Sequence, residues 1–199
     1  MPRLYDYVLS DACYKVRLML SLVGIAYEVV AIDVYPGREH EGEAFRALNP
    51  EGDVPVYEDG ALRLRDPRVI LRHLAGRQDR NWLPEGEVWL EQSTELMAPL
   101  SQARLVNLLG APGDLEALRR AGRLALRRLE DHLTDRHLAG LDWVAAPRPS
   151  IADIALFPHV ALSHDAGIGL EDYPALDLWQ RRVRRLPHFV GMPGIPDYF

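Results

Sequence analysis

The hydrophobic pattern of this 199-residue chain changes character near residue 76. Before that point, short strand-like runs alternate with helical ones. After it, every periodic stretch is helical. A chain patterned this way makes a small α/β unit followed by an all-helical one. Residues 4–9 form an apolar run with tyrosines and Val8, suited to a buried strand. Ser10 and Asp11, both capping types, precede Cys13, Val16, Met19, Leu20 and Val23 at helical spacing, and Gly24 stops that helix. Residues 27–34 read as a second strand, 36–49 as an irregular short helix, 54–57 as a third strand and 62–65 as a fourth. Asp59-Gly60 between the last two is a hairpin turn. Asp66-Pro67 then opens a helix with a capping residue and a proline in the first turn.

Connection lengths decide strand direction. A helix between the first two strands makes them parallel, and a two-residue turn between the last two makes them antiparallel. The outcome is a mixed four-stranded sheet in the β-α-β-α-β-β-α order of thioredoxin-like domains. Residues 77–86 are polar, with Pro84 and Gly86, and suit a linker. Residues 87–109 form a long helical pattern interrupted by Pro99, and Asp114 caps the next helix. Ser150-Ile-Ala-Asp153 is a capping box, whose helix contains Pro158. Leu176, Trp179, Val183 and Leu186 mark the last helix before an irregular tail. The expected organisation is a 1–76 α/β domain, a 77–86 linker and an 87–199 helical bundle domain.

Composition excludes several classes of function. The net charge of −6 argues against a nucleic-acid partner. No apolar run approaches the roughly 20 residues of a membrane span, and acidic residues near the N-terminus do not suit a signal peptide. The single cysteine fits a reducing compartment. The expected location is therefore cytoplasmic. The seven histidines show no paired spacing that suggests a metal site. Lys15 is the only lysine among 23 basic residues, the rest being arginine, a bias that fits a GC-rich genome.

Four stretches, SDACYKVRLMLSLVGIAYE, LNPEGDVPVYEDG, LRDPRVILRHLA and PSIADIALFPHVAL, resemble the glutathione transferase superfamily in order and position. The first is most similar to bacterial and zeta-like members that use a serine. The resemblance covers essentially the whole chain. It implies a thioredoxin-like domain, a helical domain, commonly a homodimer, and glutathione reacting with a small electrophile held between the domains. The electrophile pocket would draw on the first helix, the 87–109 helix and the C-terminal segment. Loss of function on the same fold, leaving a scaffold with weak or no glutathione binding, is the alternative.

The resemblance assigns roles residue by residue. Ser10 falls where the family activates the glutathione thiol. A hydroxyl at a helix N-terminus can donate to sulfur while the exposed amides favour the thiolate; the same serine can equally be a cap alone. Cys13, with the Ser10-x-x-Cys13 spacing, reads as a buried hydrophobe or as a rival nucleophile. Val54-Pro55 matches the family's cis-proline, beside which the cysteinyl backbone of glutathione pairs like an added strand. His40 matches a position that reaches the glycyl carboxylate. Asp66 matches the acid that binds the γ-glutamyl amine. Pro67 replaces the usual serine, removing a hydroxyl and an amide from the γ-glutamyl carboxylate. Arg68 can compensate as a carboxylate partner, or it can be a surface arginine.

Overall fold

The computed structural model of the chain describes residues 1–77, 82 and 86–196, so most of the expected 77–86 linker lies outside the described residues. The first half is built from β1 (Arg3–Asp6), α1 (Asp11–Leu22), β2 (Glu28–Ala31), a 3-10 turn with a short α2 (Glu43–Arg46), β3 (Val56–Asp59), β4 (Leu62–Leu64) and α3 (Pro67–Ala75). The four strands form one sheet in the order β2-β1-β3-β4. β1 pairs parallel with β2, with Leu4 opposite Val29, and antiparallel with β3, with Leu4 opposite Tyr57. β3 and β4 are antiparallel across the Asp59-Gly60 turn. The expected fold and strand directions are observed.

Boundaries shift for physical reasons. β1 stops at Asp6, because the chain turns so that the Ser10 amide donates to the Tyr7 carbonyl at 2.9 Å. β2 is shorter than its apolar run and mostly exposed, as an edge strand can be. β3 begins at Val56, two residues late, because the Val54–Pro55 peptide is cis and Val54 stays out of the ladder. The Tyr35–Pro36 peptide is also cis, which the pattern did not signal.

The second half contains α4 (Glu87–Leu109), α5 (Leu115–Leu138), α6 (Ile151–Ala161) and α7 (Pro174–Arg184). The expected interruption of α4 at Pro99 does not occur. Pro99 costs the helix one backbone bond, but Leu90, Met97, Leu100 and Ala103 are buried on a face packed against α5 and α6. Among the described residues this half has no strand, only an isolated bridge between Met192 and Ile195.

The capping box at the start of α6 is present, and Asp153 does more than cap. Its carboxylate is fully buried and accepts from the amides of Ser150 (2.9 Å) and Val144 (3.0 Å), the Ser150 hydroxyl (3.0 Å) and the Trp179 indole (2.8 Å). α6 is buried along its whole length and carries Phe157 against Tyr14 of α1 and Trp179 of α7. One hydrophobic cluster therefore runs through both halves, from Leu4 and Met19 to Leu126 and Trp179. A smaller cluster of Tyr5, Phe45 and Val56 lies under α2.

Candidate active site

Two lobes of one cleft open where the sheet end of the first half faces α4 and α6. They share Asp11, Asp53, Val54 and Ser101. The smaller lobe, about 300 Å³, is walled by Tyr7, Leu9, Val34, Leu105, Leu108 and Leu109, with Ser10, His40 and Arg104 set among them. The larger lobe, about 720 Å³, is polar; it holds Asp66, Pro67 and Arg68 together with Lys15, Ser93, Gln102 and His159. Of the expected residues, Ser10 and His40 lie in the smaller lobe, Asp66, Pro67 and Arg68 in the larger and Val54 in both, while Pro55 lines neither. The C-terminal segment takes no part among the described residues. It clamps α1 instead, through the Val190 carbonyl on the Tyr14 hydroxyl (2.8 Å) and the His188 carbonyl on the Ser21 hydroxyl (2.7 Å).

Ser10 is the N-cap of α1, and its Oγ accepts the Cys13 amide at 3.2 Å. Capping uses a lone pair and not the hydroxyl proton, so capping by itself is compatible with donation to a sulfur, and the Ser10 side chain also bonds the Cys13 thiol. The turn that presents Ser10 is pinned from two sides. Arg17 of α1 donates to the Val8 carbonyl at 3.1 Å and pairs with Asp6 at 2.5 Å. Arg104 of α4 donates to the Leu9 carbonyl at 2.6 Å and to Asp165 at 2.8 Å. Cys13 points away into the core. It is fully buried, accepts the Tyr7 amide, and burial pushes its thiol up to about 12. That leaves essentially no thiolate near neutral pH, which removes Cys13 as a nucleophile.

Neither the amide nor the carbonyl of Val54 has a protein hydrogen-bond partner among the described residues. His40 sits nearby, half-buried, with Nδ1 unpartnered. Its loop approaches closely because Gly52 has φ +68 and no side chain; a Cβ there would lie 3.0 Å from the His40 carbonyl.

Asp66 caps α3 by accepting the Arg68 amide at 2.8 Å, and Pro67 takes the first helical position. The Arg68 guanidinium folds back onto the same carboxylate, with Nη2 at 2.6 Å, and reaches Glu91 of α4 at 3.1 Å. The hydrogen bond from Arg68 holds the Asp66 carboxyl below its ordinary range. Arg68 therefore lines the cleft with its guanidinium already shared between Asp66 and Glu91.

The pattern gave no signal for the buried polar group on the cleft floor. Ser101 of α4 donates to Asp11 Oδ2 at 2.5 Å, and His159 Nδ1 lies 3.0 Å from Ser101 Oγ and 3.3 Å from Asp11 Oδ2. Burial alone would raise the Asp11 carboxyl, but His159 and Lys15 together hold it far below the usual carboxylate range. Burial, reinforced by Lys15, keeps His159 neutral. Its proton then belongs on Nδ1, facing the acid, and Nε2 is left without a partner. Burial also pushes the Lys15 ammonium below its ordinary value, with Asp11 opposing.

Residues 4–82 match the family model of the glutathione S-transferase N-terminal domain, and residues 112–182 match that of the C-terminal domain. A glutathione S-transferase structure from Pseudomonas fluorescens is 30% identical, with a TM-score of 0.82 over 96% of this chain and 98% of that one. The chain belongs to the glutathione S-transferase family. Maleylacetoacetate isomerase of Pseudomonas aeruginosa is 27% identical over 92% of this chain and 88% of its own length. A glutathione transferase homologue from Lodderomyces elongisporus, solved with two glutathione molecules per subunit, shares the fold at a TM-score of 0.84 and 21% identity. Among the described residues no cluster of His, Cys, Asp and Glu suits a metal ion, and no helix is long and apolar enough to cross a membrane.

Proposed function

We propose that this family member binds glutathione with its peptide backbone along Val54 and its γ-glutamyl end in the polar lobe, and transfers the thiolate to an electrophile in the leucine-walled lobe. The observation that carries this reading is the meeting of a polar and an apolar lobe at Val54 and Asp11, with Ser10 beside them in the apolar lobe at the N-terminus of α1. The hydroxyl donates to the sulfur, and the positive end of α1 favours the thiolate. The sulfur then forms a bond to the electrophilic carbon as that carbon loses its leaving group. Asp66 serves the γ-glutamyl amine, and His40 the glycyl carboxylate.

The 1–76 and 87–199 segments act as the glutathione-binding domain and the helical domain of this cytoplasmic protein. Two copies associate through the 62–76 and 87–109 segments, where Val69 and Val88 are exposed. Sedimentation at high micromolar concentration is expected to give a dimer, and a monomer there would remove that part.

A second reading is glutathione-dependent cis–trans isomerisation, favoured by the name of the Pseudomonas aeruginosa relative. The deciding experiment combines glutathione titration by calorimetry with turnover of 1-chloro-2,4-dinitrobenzene and of maleylacetoacetate. Conjugation of the aromatic chloride supports transfer; turnover of maleylacetoacetate alone supports isomerisation. A flat glutathione titration leaves the fold as a scaffold.

A further inference from the structure

We propose that Lys15 is the cation that receives the γ-glutamyl α-carboxylate of glutathione, taking over from the donors that Pro67 removes. The inference rests on the glutathione reading above. Lys15 lies on α1 and lines the polar lobe together with Asp66, Pro67 and Arg68. It is only 6% exposed, yet among the described residues its ammonium has no hydrogen bond and no ion pair. The side chain is mostly buried and its ammonium faces the lobe, where burial, with Arg68, disfavours its charge and Asp11 and Asp66 only partly offset this; an anion entering the lobe favours that charge.

The donors at the start of α3 are absent or spent, while Thr94, Gln102 and the Arg65 guanidinium also line the lobe. Pro67 has neither amide hydrogen nor hydroxyl. The Arg68 amide is bonded to Asp66, and its guanidinium is shared between Asp66 and Glu91. Arg65 is exposed at the mouth, with Nε on the Leu48 carbonyl. Asp11, the acid of α1 that acts on Lys15, is already held by Ser101 and His159. The head group of glutathione is a zwitterion, with amine and carboxylate on one carbon. Asp66 for the amine and Lys15 for the carboxylate give it one partner of each sign, from α3 and α1.

The test compares glutathione with 4-aminobutanoyl-cysteinyl-glycine, which keeps the amine and lacks only the α-carboxylate. Titration calorimetry is run on the parent, Lys15→Met, Lys15→Arg and Arg68→Ala. The parent is expected to bind the analogue about 10- to 100-fold more weakly than glutathione. Lys15→Met loses that same factor for glutathione and nothing for the analogue, while Lys15→Arg keeps part of the preference. A crystal structure of the parent with glutathione has Nζ within about 3 Å of the carboxylate.

The proposal is overturned if Lys15→Met binds glutathione as the parent does, or loses both ligands equally. It is also overturned if the preference for the carboxylate disappears in Arg68→Ala and persists in Lys15→Met. Should Lys15→Met fold poorly, the parent complex decides, and a carboxylate seated on Arg68 or Arg65 overturns it. A parent that binds no glutathione at all overturns the proposed function itself, and this inference with it.

Discussion

Replacing Asp153 with alanine tests how the helical half holds the cleft in shape. The side chain has zero exposure and accepts four hydrogen bonds, from the Ser150 and Val144 amides, the Ser150 hydroxyl and the Trp179 indole. The alanine leaves three N–H donors buried with no acceptor, each costing about 1–3 kcal/mol, and the hydroxyl alone can turn elsewhere. The losses are not additive, because the donors share one site and relax together. A total of about 3–5 kcal/mol is expected, comparable to breaking a buried charged network. For a chain of this size that lowers Tm by about 6–20 °C.

Asp153→Asn keeps one acceptor oxygen and turns an amide toward the donors, so it falls between the parent and Asp153→Ala. Ser150→Ala removes only the cap and costs about 1 kcal/mol. Urea denaturation followed by circular dichroism measures all three. A loss under about 1 kcal/mol for Asp153→Ala, with an unchanged m value, refutes the account of a single carboxylate organising this helix start. α6 also brings His159 to the cleft floor, so Asp153→Ala should weaken glutathione binding along with stability.

Ser10→Ala is expected to lower turnover by about 10- to 1000-fold while changing glutathione affinity little, because the lost bond matters most to the thiolate. Unchanged turnover makes Ser10 a cap only. Cys13 should resist iodoacetamide in the native protein at pH 8 and react only after unfolding; fast native alkylation contradicts a thiol pushed up to about 12. His159 is held neutral by burial, whereas in the unfolded chain it titrates near 6.5. Its contribution to stability is therefore complete above about pH 6.5 and is lost as pH falls below it, by at most about 1.4 kcal/mol per pH unit. His159→Gln should flatten that acid limb; an unchanged slope between pH 6.5 and 5 shows that another group sets it. Lys15, Asp11, Ser101 and Arg104 are the groups acting on this ring.

What the sequence determined was carried by short-range chemistry. Strand directions followed from a helix between β1 and β2 and a two-residue turn between β3 and β4. The helix starts at Ser10, Asp66, Asp114 and Ser150 followed from side chains that satisfy amides two or three residues away. The family motifs pointed to Ser10, Val54 and Asp66, and the fold brings these three to one cleft.

Tertiary structure alone decided which charges are spent and which are left over. Arg68 was legible as a cation but not as a partner of Glu91, which lies 23 residues away on another helix. The bond between Asp11 and Ser101 spans 90 residues, and that between Ser101 and His159 spans 58. Lys15 shows the limit most clearly. A lysine on a helix reads as solvated surface, because nothing local tells its solvent face from one that a second domain will cover. Packing against α3 and α6 buries most of that side chain and leaves its ammonium, with no hydrogen bond among the described residues, at the polar lobe, which turns the sole lysine of the chain into a candidate ligand site.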